Sequence, residues 1–490
     1  MTGGAVAADE DAPAPAPAKG KAGVFTTGST MGHVVTMTVT SSVGLVAIFI
    51  VDAINLFYIS LLGQQVLAAA IGYASTIMFF TISVGIGLSI ATAALVAKAL
   101  GARREEDARR LTATCLAFVF LTTAAFALCL YPLIGPVLDL LGAKGETKRL
   151  AAMFMGIVLP SVPLLGLGMA LGALLRARGD PRRAMFVTLS GGAAALVLDP
   201  LFIFGFDMGL AGAATATVCV RFVLVLVGLH GVVVVHRMLG PVRPATLLRD
   251  MARDLPPFAA LAAPAIVTQL ATPVGNAYVT GVIARFGDGA VAGWAIVGRI
   301  LPVAFGVIFA LSGAVGPIMA QNLGAGLFER VRSTLRDALV FTTLYCVAVW
   351  IVLAVAHPWL IALFGAKAEA ADLVAVFCVL VAGSFLFNGA LFVGNAAFNN
   401  LGFPLYATVF NWGRATLGVI PFVSIGAAYG SSGVLMGWGL GAVAFGFAAA
   451  VTAFRVVGRL EEREGTAPDD PPRLPPSANS PFTTGKGAVG

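Results

Sequence analysis

Residues 53–97, AINLFYISLLGQQVLAAAIGYASTIMFFTISVGIGLSIATAALVA, run without a charge from Asp52 to Lys98. A helix needs about 20 mostly apolar residues to cross a bilayer. This stretch therefore holds the end of one crossing and the whole of a second, with a turn at Gly63. The same reading extends over most of the chain. Charges are absent between Arg110 and Asp139, Arg149 and Arg176, Asp254 and Arg285, Arg299 and Glu329, and Asp337 and Lys367. Runs 373–413 and 415–454 are also uncharged. Of 490 residues, 58% are apolar and 11% charged, with mean hydropathy +0.93. Soluble domains carry about 25% charged residues. The composition excludes a cytosolic enzyme and a nucleic-acid binder and implies a polytopic, all-α membrane protein.

Twelve helices are predicted: 33–60, 64–97, 110–135, 150–175, 182–204, 209–236, 257–285, 289–323, 338–364, 371–398, 404–425 and 432–458. Basic residues set their orientation. Sixteen lie in the loops on one side, among them Lys98, Arg103, Arg178, Arg183, Arg249 and Arg330. Five lie on the other: Lys144, Lys148, Arg149, Arg285 and Lys367. By the positive-inside bias both termini are cytoplasmic, in the inner (plasma) membrane. The net charge of +7 thus reports orientation rather than partners.

The ends read differently. Residues 1–30 are an Ala/Pro-rich arm without the apolar core of a signal peptide, and 459–490 form a polar, Pro-rich tail. Neither buries enough apolar surface to order itself, so both are expected to be disordered. Cys115, Cys129, Cys219, Cys346 and Cys378 are scattered through apolar stretches and read as packing residues, with no disulfide or metal spacing.

The chain repeats itself at an offset near 223 residues. Gly63 matches Gly287, and Leu100-Gly101-Ala102 matches Leu323-Gly324-Ala325. Gly179 and Pro181 match Gly402 and Pro404; Pro200, Gly205, Gly209 and Gly212 match Pro421, Gly426, Gly430 and Gly433. Six helices per copy insert both halves the same way round, giving two bundles related by a parallel internal repeat. The expected lobes are 31–236 and 257–458, joined by a cytoplasmic linker at 237–256.

Only two acids fall well inside spans, Asp52 and Asp199. Their repeat partners are Asn276 and Ile420, so the acids belong to one lobe only. Charges in the membrane are costly and mark ion paths or partners. Carboxyls held there can exchange a proton or bind a cation. Asn55 lies one turn from Asp52, and Thr215 and Thr217 in helix 6 offer hydroxyl oxygens. The bases are Arg221, Arg299 and Arg414, with Arg221 a plausible counter-ion. The four histidines sit near span ends. No GxxxxGK[ST], HExxH or GxSxG occurs, so neither ATP coupling nor hydrolytic chemistry is indicated. An intramembrane enzyme would need a nucleophile or metal cluster beside the acid pair, and none accompanies it.

The chain resembles the multidrug and toxic compound extrusion (MATE) transporters across residues 31–458. The resemblance rests on VDAINLFYISLLGQQVLAAAIG, LVAKALGARREEDARR, LLRARGDPRRAM, LVLDPLFIFGFDMGLAGAATATV, PIMAQNLGA and NNLGFPLYATVFNWGRA. It implies twelve helices in two lobes and export of cationic, amphiphilic or otherwise diverse organic compounds, driven by inward proton or sodium flow. In the DinF-like branch the cation site is in the N-terminal lobe. Asp52, Asp199 and Thr217 match its acidic and hydroxyl positions. The family's asparagine one turn before the second acid is Ala195 here, which favours protons over sodium. Helix 1 has no proline between His33 and Asp52. The acids of the NorM-like second lobe are missing too: Asn276, Asn388, Asn395 and Asn399 stand in helices 7 and 10.

The expected function is therefore a proton-coupled (or sodium-coupled) antiporter, working by alternating access as a monomer in the lipid bilayer, without a cofactor. Phe57, Tyr58, Met78, Asn276 and Arg221 are the expected substrate contacts. The alternative is a flippase for lipid-linked oligosaccharides, whose relatives line the cavity with basic residues; Arg221, Arg299 and Arg414 are the candidates here.

Overall fold

A computed structural model describes residues 23–60, 65–240 and 244–465. The proposed disordered stretches before residue 23 and after 465 lie outside these residues. The apolar sequence forces helix everywhere, because backbone groups in a bilayer must satisfy each other within the segment. The crossings are α1 (Thr30–Ser60), α2 (Gln65–Gly101), α3 (Glu105–Leu130, continued by Ile134–Leu140) and α4 (Gly145–Val158 and Val162–Arg178). Next come α5 (Pro181–Pro200, running into a wide turn Leu201–Gly205) and α6 (Gly209–Leu229, then His230–Val235). The second set is α7 (Pro244–Ile283), α8 (Asp288–Gly324), α9 (Phe328–Leu363) and α10 (Glu369–Val379 and Phe385–Leu401). The set ends with α11 (Pro404–Gly413 and Val419–Gly426, joined by a wide turn Arg414–Gly418) and α12 (Gly430–Gly465).

Backbone geometry repeats as the sequence does. Gly179 and Gly402 close α4 and α10 at φ +90° and +93°, where a side chain would be strained. The α5–α6 and α11–α12 hairpins both close on bare backbone. A Cβ on Gly212 would stand 2.4 Å from the Phe202 carbonyl oxygen, and one on Gly426 would stand 2.1 Å from that of Gly433. The expected parallel repeat of two six-helix bundles is what the chain forms.

Asp180 anchors the α4–α5 turn. Its Oδ1 accepts from Arg183 N at 3.0 Å, and its Oδ2 contacts the Arg183 guanidinium and lies 2.9 Å from His236 Nε2 at the end of α6. Burial pushes this carboxyl up, but the Arg183 and His236 hydrogen bonds and the Arg183 charge outweigh it and hold it below the ordinary aspartate range. Asp180→Ala is expected to cost about 1–2 kcal/mol at pH 7, the usual loss for a helix cap. Because the carboxyl value is lowered on folding, its stabilisation is present above the unfolded value near 4. It disappears as pH falls through the folded one. Thermal unfolding of both proteins at pH 7 and near pH 3 should therefore show a gap that closes in acid.

Both described ends lie on the face bearing most of the loop arginines, here called the basic face. The lobes meet there. A Cβ on Gly101 of α2 would lie 2.0 Å from the Gln321 carbonyl oxygen of α8, and one on Gly324 would lie 2.1 Å from that of Lys98. Around this contact Ala93, Ala97, Ala173, Ala177 and Ala320 form a fully packed interlobe layer. Gln321 Nε2 donates to Ala177 O at 2.7 Å.

Three expectations about domain limits change. Residues 23–29, placed in the disordered arm, are ordered: Val24–Thr26 form a short turn and Phe25 is 2% exposed. The linker 237–256 is largely helix, since α7 begins at Pro244. Its Asp254 contacts the Arg110 guanidinium and accepts from Thr114 Oγ1 at 2.9 Å. The lobes also exchange helix ends. Val34 and Met37 of α1 belong to the core of the second lobe, whereas Phe258 and Ala262 of α7 belong to that of the first.

Candidate functional site

α1 and α5 run side by side in the first lobe. A Cβ on Gly44 would lie 3.3 Å from Thr188, and one on Gly192 would lie 3.2 Å from Val51. Further out, the Tyr58 ring meets Phe204 edge-on at 6.3 Å between centroids. The α1 backbone at 52–55 thus passes α5 at 193–199. The side chains of Asp52, Asn55 and Phe57 lie outside the described residues. Asp199 is 4% exposed, at the end of the regular part of α5. Pro200 follows, has no N–H to donate, and opens the wide turn Leu201–Gly205. Such turns recur at functional positions in helices.

α6 returns antiparallel to α5, with Gly212 against Phe202 and Gly191 against Leu224. That register sets Asp199 level with Ala216, between Thr215 and Thr217. Both hydroxyls donate to their own helix, Thr215 to Ala211 O at 2.8 Å and Thr217 to Ala213 O at 2.9 Å. Their oxygen lone pairs stay available to a cation. The structure therefore brings Asp199, the two threonines and the α1 segment carrying Asp52 and Asn55 to one level of one lobe.

The expected substrate contacts separate. Tyr58 is half-buried beside Phe204, and Asn276 is exposed on α7. Met78 is buried among Ile77, Met155, Val158 and Leu210, because that side of α2 faces its own lobe; the neighbouring Phe79 and Phe80 are the exposed pair. Arg221 is likewise corrected from substrate contact to structural brace. It is 5% exposed and donates to Val158 O at 3.0 Å and Ser161 Oγ at 2.8 Å, across the break in α4. The freed carbonyl at that Pro160 break supplies the acceptor, so the arginine stays inside its lobe.

In the second lobe, Arg414 occupies the wide turn of α11, buried, with Nη2 donating to Thr272 Oγ1 at 3.1 Å. Of the amides that stand where acids could, Asn388, Asn395 and Asn399 are buried, and Asn411 Nδ2 donates to Asn395 Oδ1 at 2.8 Å. Arg176 reads in sequence as a rim residue, yet it reaches inward. Its guanidinium folds back over Gly172, where a Cβ would lie 3.6 Å from Nη1, and faces Gly313 of α8, where a Cβ would lie 3.9 Å from Nε. No local sequence signal distinguishes it from the rim arginines around it. Among the described residues no group of three His, Cys, Asp or Glu side chains gathers to hold a metal.

These features agree with comparison to known proteins. The MatE family profile matches residues 40–201 and 264–423, one segment in each lobe. The FAD transporter of Shewanella oneidensis is 28% identical over 397 residues, covering 80% of this chain and 87% of that protein. The multidrug export protein MepA of Staphylococcus aureus is 23% identical over 408 residues, covering 81% and 87%. The crystal structure of the Vibrio cholerae MATE transporter VcmN in the bent form aligns with a TM-score of 0.81 at 25% identity, over 89% of this chain and 98% of that one. A two-lobe repeat closed at one face, and a profile matched in both lobes, carry one conclusion: the chain belongs to the MatE family of membrane efflux transporters.

Proposed function

We propose that this transporter is a secondary antiporter that exports small organic solutes in exchange for a proton bound in the first lobe. The observation that supports it is Asp199. This carboxyl sits deep in α5 at a level shared with Thr215, Thr217 and the Asp52–Asn55 segment, while its repeat partner is Ile420. An acid retained in one lobe only is not a requirement of the shared fold. Asp52 and Asp199 take up the proton from one side of the membrane and release it to the other as the lobes rock. Ala195, where a further oxygen ligand would help sodium, weighs toward the proton. Tyr58 and Asn276 are the substrate contacts retained in this reading. The loop arginines favour an orientation with the basic face on the cytoplasmic side of the plasma membrane, and in this reading the protein works as a monomer in the bilayer with no cofactor beyond the coupling ion.

Proteoliposomes loaded with fluorescent solutes, under separately imposed proton and sodium gradients, test this. Proton-driven movement should fall about tenfold or more in Asp199→Asn and Asp52→Asn. Movement that follows sodium alone, or that survives both substitutions, overturns the proposal.

A further inference from the structure

Among the described residues four arginines lie within the spanning helices, Arg176, Arg221, Arg299 and Arg414, and of these only Arg221 is braced by several acceptors. Arg414 has one neutral partner, the Thr272 hydroxyl, and its Nε is buried without a hydrogen bond. Arg176 and Arg299 have no hydrogen-bond or carboxylate partner among the described residues. A cation left in the membrane without an acid is costly, and it persists where it serves a ligand or an aqueous path.

Their placement is specific. Arg299, Gly306 and Gly313 follow one another at seven-residue intervals and so share one face of α8. Gly306 faces Val46 and Phe49 of α1, 3.8 and 3.9 Å from where its Cβ would stand, and Gly313 faces Arg176. That face is the one turned to the first lobe. Arg299 is exposed on it, about 10 Å beyond the α1 contact toward the face opposite the seal. Arg176 lies on the other side of that contact, between the lobes and just above the seal where Ala177 binds Gln321. In the present closure Arg176 is half-buried behind the seal and Arg299 is exposed, and parting the seal would uncover Arg176. One arginine is thus available in each state of an alternating-access cycle.

We propose, resting on the antiporter reading above, that the cleft carries a solute bearing a phosphate or carboxylate group. Arg176 receives the anion when the basic face is open, and Arg299 receives it on the way out. Guanidinium forks match both groups and stay charged throughout the cycle. α8 has no acid after Asp288, so its face toward the first lobe carries positive charge only, which favours an anionic solute over a cationic one there. The anionic group can belong to a soluble solute or to a lipid-linked diphosphate; the recognition chemistry is shared.

The test uses the full chain in proteoliposomes under a proton gradient, with riboflavin, FMN, FAD and ethidium as probes and a fluorophore-labelled phosphatidic acid as the lipid arm. FMN or FAD should move at least about tenfold faster than riboflavin, which has the same ring without phosphate, and than ethidium. Arg176→Gln and Arg299→Gln should each remove most of that preference, and Arg176→Lys and Arg299→Lys should restore part of it. Labelled lipid crossing while the flavins do not, with the same arginine dependence, assigns the anion to a lipid. Ethidium moving while no anion does, or glutamine variants within twofold of wild type, overturns the proposal. If nothing moves under any gradient, the antiporter reading fails. Tryptophan quenching by FMN against riboflavin in detergent then decides the anion site alone: equal binding overturns it, and tighter FMN binding lost in Arg176→Gln upholds it.

Discussion

Gly101→Ala, and independently Gly324→Ala, are expected to abolish transport while leaving both lobes folded. A single methyl suffices because what it meets is backbone. The Cβ of residue 101 would stand 2.0 Å from the Gln321 carbonyl oxygen and 2.6 Å from its carbonyl carbon, and that of residue 324 would stand 2.1 Å from the Lys98 oxygen. A flexible side chain could rotate away, but two helix backbones can only separate. Moving them apart by about 1 Å or more undoes the alanine layer, whose close approach supplies the dispersion energy that holds helices together in lipid. It also strains the Gln321–Ala177 hydrogen bond. A loss of about 3 kcal/mol from the closed state would shift its population more than about 100-fold. Spin labels at Glu106→Cys on α3 and Arg336→Cys on α9, both exposed on the basic face, read this directly in a background without the native cysteines. Wild type should give one short distance, and either alanine variant a longer one. Wild-type distances and wild-type export in Gly101→Ala would show that the contact is not needed for the cycle.

The two glycines were legible as a repeat, Leu-Gly-Ala after the second helix of each half, but their meeting was not. A repeat tells which residues are equivalent, not which face each other. Span number and hairpin positions could be read because length and missing charge are local properties of the chain. Hydropathy starts α7 at residue 257, because Arg249, Asp250, Arg253 and Asp254 are too polar for a bilayer. Helix nonetheless begins at Pro244, since that polar turn docks on α3 through Arg110 and Thr114 rather than on lipid. The exchange of α1 and α7 ends between lobes was hidden for a related reason: hydropathy says that a helix is buried, not against what. Asp199 was found because an acid in an apolar run is conspicuous by itself. The arginines were harder. Arg221 looked like a cleft residue and is spent on the α4 break, while Arg176 looked like a rim residue and reaches inward. A long side chain's destination depends on the space around it, here the bare surfaces of Gly172 and Gly313, which only the assembled lobes reveal.

The segment before α1 reads as shapeless in sequence, yet its described part rests on the closed face, and Phe25→Ala combined with Arg330→Ala should loosen that face. Phe25 N donates to Gln321 Oε1 at 3.0 Å, so the same glutamine that joins α4 to α8 also holds the strap. The Phe25 carbonyl accepts from Asn322 Nδ2 at 3.2 Å and Arg330 Nη2 at 2.9 Å, and Arg330 Nη1 donates to Gly28 O at 3.0 Å. On the other lobe, Val24 lies where a Cβ on Gly179 would come within 2.8 Å, so the strap touches both sides of the seal. Burying a phenylalanine is worth about 2–3 kcal/mol, and each hydrogen bond about 1 kcal/mol net. The hydrogen bonds and the Phe25 burial hold the strap on the second lobe, and it is the Val24 contact with Gly179 that needs both lobes together and favours the closed arrangement. Freeing the strap from the second lobe releases Val24 from Gly179, a loss of about 1.5 kcal/mol that should populate the open arrangement about tenfold more. The spin-label pair at 106 and 336 should then report a second, longer distance without any glycine change, and Gln321→Leu should act in the same direction by releasing α4 and the strap at once. A strapless variant with the wild-type distance distribution would mean that the alanine layer alone holds the seal and that residues 23–28 merely rest upon it.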